Sequence, residues 1–272
     1  MAVVLTHGRL RVKVDPSRGG RLTELTLDGA SLLATTLDDD VPAPYVAGSF
    51  PMAPWAGRLY KGEVNFDGQQ HVFATPYEAH ALHGLVADVA WALESVTDKQ
   101  VTMSRALGPE WPFRGVLEQT VTVTDELVRQ ELVLQAGEVA MPAWLGFHPW
   151  FARDCGVPGT GQGQVRFRAN SMLQRGLDGL PNGHRIDVSG QELPSCPLDD
   201  CFEDVSEVVV SWPGGPTLAL RSQARWWVFF TERSDAFCVE PQTAPPDALR
   251  RGDAPILAPG GRQSVVLDYV MK

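Results

Sequence analysis

Cysteine is scarce in this sequence. Four in 272 residues, with no C-x-x-C pair and no regular spacing, exclude a disulfide framework and a thiolate zinc ribbon. Cys155, Cys196, Cys201 and Cys238 are expected as reduced thiols in a cytoplasmic protein. Long apolar runs are missing as well. No stretch approaches the roughly 18 uncharged apolar residues of a membrane span, and the start MAVVLTHGRLRVKVD has no basic segment leading into an apolar one, so no secretory signal is expected. Positive charge is short: Lys+Arg 23 against Asp+Glu 33 leave a net charge of -10. Without a basic footprint, neither nucleic acid nor an anionic membrane surface is an expected partner, and a neutral small molecule suits the chain better. Also absent are a G-x-G-x-x-G after a strand, a P-loop and a G-x-S-x-G element, which removes the common nucleotide-binding and serine-hydrolase readings. Convincing amphipathic helices are almost lacking.

What is present is alternation of period two. Leu5 to Val14 and Arg21 to Leu27 alternate apolar with polar residues, the second run ending at Asp28-Gly29. GEVNFDGQQHVF sets Asp67-Gly68 between two short alternating runs, a hairpin signal. Strands are expected at Val116 to Val123, Leu127 to Leu134, Val205 to Trp212, Thr217 to Arg221, Trp226 to Thr231, Phe237 to Glu240 and Ser264 to Val270, with a turn near Asp125-Glu126. Asp154 to Gln164 reads as a surface excursion. Gly 26 and Pro 21 supply punctuation at the short intervals that many strands require. No repeat or linker divides the chain, so the expectation is an all-β, large antiparallel β-sandwich over 1–272 as one domain, with few or no helices, existing as a monomer or homodimer.

Five segments break the alternation by mixing apolar, aromatic and ionisable residues: FPMAPWAGRL (Phe50 to Leu59), HALHGL (His80 to Leu85), GFHPWF (Gly146 to Phe151), LDDCF (Leu198 to Phe202) and VEPQTAPPDAL (Val239 to Leu249). They read as strand ends and loops on a rigid scaffold, where sites are commonly displayed. Each has a plain structural reading when taken alone. Arg58 suits a surface ion pair, His148 a packed histidine, Glu240 an edge carboxylate and Asp199-Asp200 a turn. His80 and His83 form an H-x-x-H that could also bind metal, a pattern common by chance, and no metal site is expected. Trp55 and Trp150 lie inside the segments and are read equally as core or as sugar-stacking residues, whereas Trp144, Trp226 and Trp227 are read as core.

Together and in order, the segments resemble the aldose 1-epimerase (galactose mutarotase-like) family. The matching features are Arg58 followed by the Gly62–Gly68 hairpin, Leu82-His83-Gly84 with Trp91 after it, His148-Pro149-Trp150-Phe151, Asp199-Asp200-Cys201-Phe202, and Glu240-Pro241-Gln242-Thr243 with Pro245-Pro246-Asp247-Ala248 behind. The resemblance spans nearly the whole chain and implies a galactose mutarotase-like supersandwich that interconverts the anomers of a free aldose without a cofactor. It implies that Glu240 is the general base and His148 the general acid, and that Arg58, His83 and Asp199 hold the sugar, Asp199 rather than Asp200 by its spacing to Phe202. Gly57 departs from the asparagine usual there, which removes a side-chain amide that would face the sugar. The expected mechanism places an ionised Glu240, near an arginine, and a His148 titrating near neutrality on opposite sides of the ring. Two further readings stand beside this one: a hexose-6-phosphate epimerase of the same family, which needs a cationic pocket from Arg58 with Lys61, Arg105 or Arg114, and a non-catalytic sugar-binding protein.

Overall fold

The computed structural model describes residues 1–37, 45–75, 79–194 and 196–272. Almost all of the regular structure is antiparallel strand; the helical content among the described residues is a single turn at Ala248–Arg251 and a 3-10 turn at Tyr60–Gly62. An 11-stranded sheet runs, from one edge to the other, Val3–His7, Leu10–Asp15, Arg21–Leu27, Ser49–Met52, Gly146–Ala152, Ala236–Gln242, Trp226–Phe230, Asp199–Glu203, Ser171–Arg175 and Pro181–Asp187, with Ala30–Ser31 paired to Arg21–Leu27. An 8-stranded sheet packs against it, in the order Ala92–Val96, Gln100–Ala106, Gly115–Val123, Leu127–Ala136, Arg262–Met271, Thr217–Arg221, Ser206–Ser211 and Gln164–Arg168. This is the two-layer arrangement of a β-sandwich. No helix is long and apolar enough to cross a membrane among the described residues.

Turn chemistry sets the register where the sequence supplies it. Phe66 pairs with Gln69 and Leu27 with Ala30, so Asp67-Gly68 and Asp28-Gly29 are two-residue loops. All four turn residues have positive φ, from 50° to 84°, as a type I′ turn requires. The expected strand from Leu5 to Val14 is instead a hairpin: His7 pairs with Leu10 around Gly8 (φ 55°) and Arg9. Alternation continues across such a turn, so periodicity alone cannot reveal it.

The core between the layers follows from the inward positions. Gly115–Val123 alternates buried and more accessible residues along its length. Phe151 stacks on Phe237 at 5.5 Å and meets Tyr269 of the other sheet at 6.2 Å, while Phe167 lies flat on Phe229 at 3.6 Å. A buried polar contact also ties the layers together. The Tyr269 hydroxyl lies 2.8 Å from Gln130 Oε1 and 3.0 Å from Ser49 Oγ, so the buried oxygens are satisfied by one another.

At the centre of the large sheet the alternation disappears. Ser49–Met52, Gly146–Ala152 and Ala236–Gln242 are buried at every position. One face lies on the second sheet and the other is roofed by the segments around residues 45–60 and 80–87. A strand covered on both sides has no polar face to show. GFHPWF is therefore a central strand and not a loop, contrary to the sequence expectation, and it carries Pro149 opposite Ser49 while Pro51 sits opposite Phe147.

Candidate active site

Because side chains alternate along a strand, cross-strand partners share a face. Phe50 pairs with His148, and Val228 with both Glu240 and Cys201. The flanking pairs Gly146 with Gln242 and Trp150 with Cys238 set His148 level with Glu240 on neighbouring strands. One row across the sheet therefore reads Phe50, His148, Glu240, Val228, Cys201. The next row reads Trp150, Cys238, Phe230, Asp199. The roof completes the site. Arg58 pairs with Leu82 in a short ladder, and the His83 N–H donates to the Gly57 carbonyl at 2.9 Å. His83 itself lies at φ 53°, in the left-handed region that few residues other than glycine visit.

The loop behind Glu240 is laced to the roof. Asp247 N–H donates to the Arg58 carbonyl at 2.8 Å and Asp247 Oδ1 accepts from Tyr60 N–H at 3.0 Å. Thr243 and Leu145 exchange two bonds of 2.8 Å, and Trp144 Nε1 donates to the Ala56 carbonyl at 2.8 Å. Gly57 has φ 69°, and a Cβ there would meet Pro246 Cγ at 3.0 Å and lie 3.5 Å from Gln242 Oε1. The space an asparagine would occupy at this position is filled by Pro246 and the Gln242 amide.

These elements enclose a cavity of about 260 Å³, just under the usual range of small-molecule sites, roughly 300–1,000 Å³. Arg58, His83, His148, Trp150, Asp199 and Glu240 all line it. Trp55 does not. It is 1 % exposed, packed on Phe73 at 5.0 Å and Trp111 at 6.1 Å on the far side of its segment, so the sugar-stacking half of its reading falls and the core half stands. Asp200 lines a neighbouring hollow instead of the cavity, and Asp199 is ion-paired with Arg175. His80 is also excluded from the cavity. Its Nδ1 accepts from Lys61 N–H at 3.1 Å and its Nε2 donates to the Asp178 carbonyl at 3.1 Å, so both ring nitrogens are engaged and no H-x-x-H pair forms.

Tyr45 and Arg233 are lining residues outside every motif, and Gln242 is one that the Glu240-Pro241-Gln242-Thr243 motif contains without assigning it to the site. Gln242 is within reach of sequence reasoning, since it stands two residues beyond Glu240 and so on the same strand face. Tyr45 and Arg233 lie in stretches without any motif. Tyr45 donates from its hydroxyl to the Leu82 carbonyl at 3.0 Å and accepts from Trp150 Nε1 through its own carbonyl at 2.8 Å; Arg233 is paired in two bonds of 2.7 and 2.8 Å with Asp235.

His148 Nε2 and Glu240 Oε1 are 3.3 Å apart, in side chains only 6 % and 4 % exposed. Gln242 Nε2 approaches Glu240 Oε2 at 3.3 Å. The two groups thus stand side by side on one wall, not on opposite sides of a ring as expected. Burial first, then the Asp199 charge, pushes the Glu240 carboxyl well above its usual range, against the opposing pull of Arg58 and the Gln242 hydrogen bond. Burial first, then His83, pushes the His148 imidazolium well below its usual range. Burial with the nearby Arg58 brings His83 down to about 3. Burial thus opposes the charged form of each group, whereas the sequence expectation has Glu240 ionised and His148 titrating near neutrality. As neighbours 3.3 Å apart, the two groups can carry a single proton between them. His83, His148 and Glu240 also offer three metal-binding atoms within 4.8 Å of one another, the cluster among the described residues that could hold a cation.

Comparison with known proteins identifies the family and the fold. The Aldose 1-epimerase family matches residues 1–269. YihR of Escherichia coli (strain K12), described as an uncharacterized protein, is 23% identical over 270 residues, covering 90% of this chain and 84% of that protein. A galactose mutarotase-like protein from Clostridium acetobutylicum superimposes with a TM-score of 0.86 at 15% identity, over 100% of this chain and 95% of the other. The GalM/aldose epimerase homologue from C. elegans does so at 0.83 and 16%, over 100% and 98%. At these identities the structural matches establish a shared galactose mutarotase-like fold, and the family match covers all but the last three residues. The chain belongs to the aldose 1-epimerase family.

Proposed function

We propose that the protein interconverts the α and β anomers of a free aldose, with Glu240 and His148 moving the two protons that ring opening requires. The observation that carries this reading is the 3.3 Å approach of His148 Nε2 to Glu240 Oε1 on the wall of a cavity sized for a single ring. The two sugar oxygens to be served, the C1 hydroxyl and the ring oxygen, are bonded to the same carbon. Neighbouring catalytic groups on one wall suit them better than opposed ones.

The working form is the tautomer with Glu240 ionised and His148 protonated, reached without changing the proton count of the pair. Glu240 takes the C1 hydroxyl proton, His148 gives its proton to the ring oxygen, and the C1–O bond of the ring opens as the C1 carbonyl forms. Rotation about C1–C2 presents the other carbonyl face. Closing then reverses both transfers, so the pair carries one proton throughout. Each positioned transfer contributes typically 10²–10⁴-fold. No atom changes oxidation state, so the chemistry calls for no cofactor. Arg58, His83, Asp199 and Trp150 are assigned to hold the sugar.

The Glu240–His148 pair is without net charge when it holds one proton, and Asp235 engages Arg233, which leaves Arg58 against Asp199, a balance that favours a neutral ligand. The phosphorylated-sugar reading has one observation in its favour, the second lining cation, Arg233, although Asp235 already engages it. Optical rotation of freshly dissolved α-glucose, α-galactose, a pentose and α-glucose 6-phosphate tests both. Acceleration of a free sugar supports the proposal. Acceleration of the phosphate alone transfers it to the second reading, and a return to equilibrium at the uncatalysed rate for every sugar refutes both.

A further inference from the structure

Behind the site, on the side of His148 away from Glu240, sits a cation that the proton-transfer scheme does not use. Arg21 is 1 % exposed, at the start of the strand Arg21–Leu27. Its guanidinium donates to the carbonyls of Val46 and of Ala47 (2.9 Å) through Nη1 and to the carbonyl of Ala87 (3.0 Å) through Nη2. These carbonyls belong to two roof segments: one carries Tyr45, and the other follows His83. The guanidinium also lies over the Phe50 ring, 4.7 Å from its centroid, and the Phe50 ring stacks on the His148 imidazole at 4.6 Å with 16° between the planes. Arginine, aromatic ring and imidazole thus form one stack that ends on the proposed general acid.

The chain is shaped to place this cation. Gly19 and Gly20 precede it with φ 72° and 62°. A Cβ on Gly19 would fall 2.1 Å from the Ala87 carbonyl oxygen, so only glycine permits the strand to start this close to the roof. Gly19 N–H donates to the Val89 carbonyl at 2.9 Å, extending the same seam.

We propose that Arg21 is a positioning residue of the active site, acting through Phe50 to fix the plane and proton affinity of His148 and through its carbonyl contacts to fix the roof that carries Tyr45 and His83. This rests on the proton-transfer role of His148 given above. A planar, permanently charged guanidinium is well matched to this place, because it forks to several carbonyls while presenting a face to an aromatic ring, which an ammonium cannot do. Its charge, two stacking distances from His148, opposes the imidazolium, as does His83 at 4.7 Å between ring centroids. Glu240 Oε1 at 3.3 Å favours the imidazolium when it is ionised, and Asp199, Arg58 and Gln242 act in turn on Glu240. Arg21 is the member of this set that touches neither the cavity nor the proton.

The test compares Arg21→Met, Arg21→Lys and Phe50→Leu, the last keeping the carbonyl contacts of Arg21 while breaking the stack. The readouts are the His148 ring ¹⁵N shifts followed downward from pH 8, the pH profile of kcat/KM for anomer interconversion, and the sugar Kd. Loss of the cation is expected to move the onset of His148 protonation, and both limbs of the profile, to higher pH by about half a unit to one unit. With it, kcat falls about 10-fold or more while Kd stays within about threefold, since misplaced groups cost chemistry more than binding. Arg21→Lys recovers the charge effect without the full kcat. If all three variants lose only stability, with His148 shifts and profile unmoved, Arg21 is merely structural and the inference fails. Should Arg21→Met not fold, Arg21→Lys decides: a fall in kcat with Kd within about threefold supports the positioning role, and an unchanged kcat overturns it. If the wild-type protein accelerates no sugar while the His148 shifts still move, the proposed reaction falls and the positioning role stands.

Discussion

Replacing Glu240 by glutamine probes the proposed chemistry with little change in shape. The amide keeps the volume of the side chain, the approach to Gln242 and a donor facing His148 Nε2 across the 3.3 Å gap, but it cannot accept the C1 proton. Loss of one positioned base removes roughly 10²–10⁴-fold of rate, or about 3–5 kcal/mol of barrier lowering. Ring opening and closing both use the group, so no step escapes the loss. Polarimetry of α-glucose or whichever sugar the wild type prefers should show kcat falling by that factor, with sugar Kd from calorimetry within about threefold. The substitution also has a stability signature. The folded-state pKa of Glu240 lies above its unfolded value, so the Glu240 contribution to wild-type stability is lost as pH rises from the unfolded pKa, about 4.5, toward the folded one. The amide does not titrate, so Glu240→Gln gains on the wild type as pH is raised from 4.5 to 8 in denaturant melts. Full activity in the variant would refute the reasoning, as would an equal fall in kcat and binding.

Three further outcomes follow from the same geometry. Acid should remove the histidine contribution to stability below about pH 6.5, the unfolded histidine range: the folded-state pKa values of His83 and His148 are lowered, so the unfolded chain binds their protons first; melts of Glu240→Gln, in which residue 240 does not titrate, at pH 7 and pH 4.5 check this, and equal stability of that variant at the two would contradict it. Trp55→Phe should leave KM unchanged while lowering stability by about 1–3 kcal/mol for the cavity left beside Phe73 and Trp111, whereas Trp150→Ala should raise KM severalfold; steady-state kinetics with thermal melts separates the two tryptophans. Prolonged dialysis against EDTA should leave the rate unchanged, and a loss restored by one equivalent of a divalent ion would draw His83, His148 and Glu240 together as ligands.

The outer strands are legible in the sequence because one face meets the core and the other meets water. Arg21–Leu27 and Thr217–Arg221 match their expected limits, and Asp67-Gly68 and Asp28-Gly29 turn where their φ preferences direct. The centre of the sheet is not legible as strand. Gly146–Ala152 and Ser49–Met52 are covered on both faces, which erases the period of two, and Pro51 and Pro149 argue against pairing that nevertheless forms around them. The same segments announce the site through their ionisable residues, so the chemistry is visible where the fold is hidden. Trp55 shows the limit of that signal. Membership in a chemical segment does not say which way a side chain points, and Trp55 and Gly57 stand two residues apart on opposite sides of one wall. Protonation escapes the sequence for a related reason. Sequence shows that an arginine is available, but only the fold shows that Glu240 and His148 are nearly sealed from water, and that burial opposes the charged form of each. Tyr45 and Arg233 reach the cavity from stretches that no short motif marks, whereas Gln242 follows from its place two residues beyond Glu240.

The central claim is that Glu240 and His148 act as one proton-carrying unit, and a double variant tests it most directly. Polarimetric rates for Glu240→Gln, His148→Asn and the two combined should show the combination no slower, within about threefold, than the slower single variant, because removing either partner already disables both transfers. Losses that multiply instead, the double variant falling below either single by the full factor of the other, would show two independent groups and contradict the account.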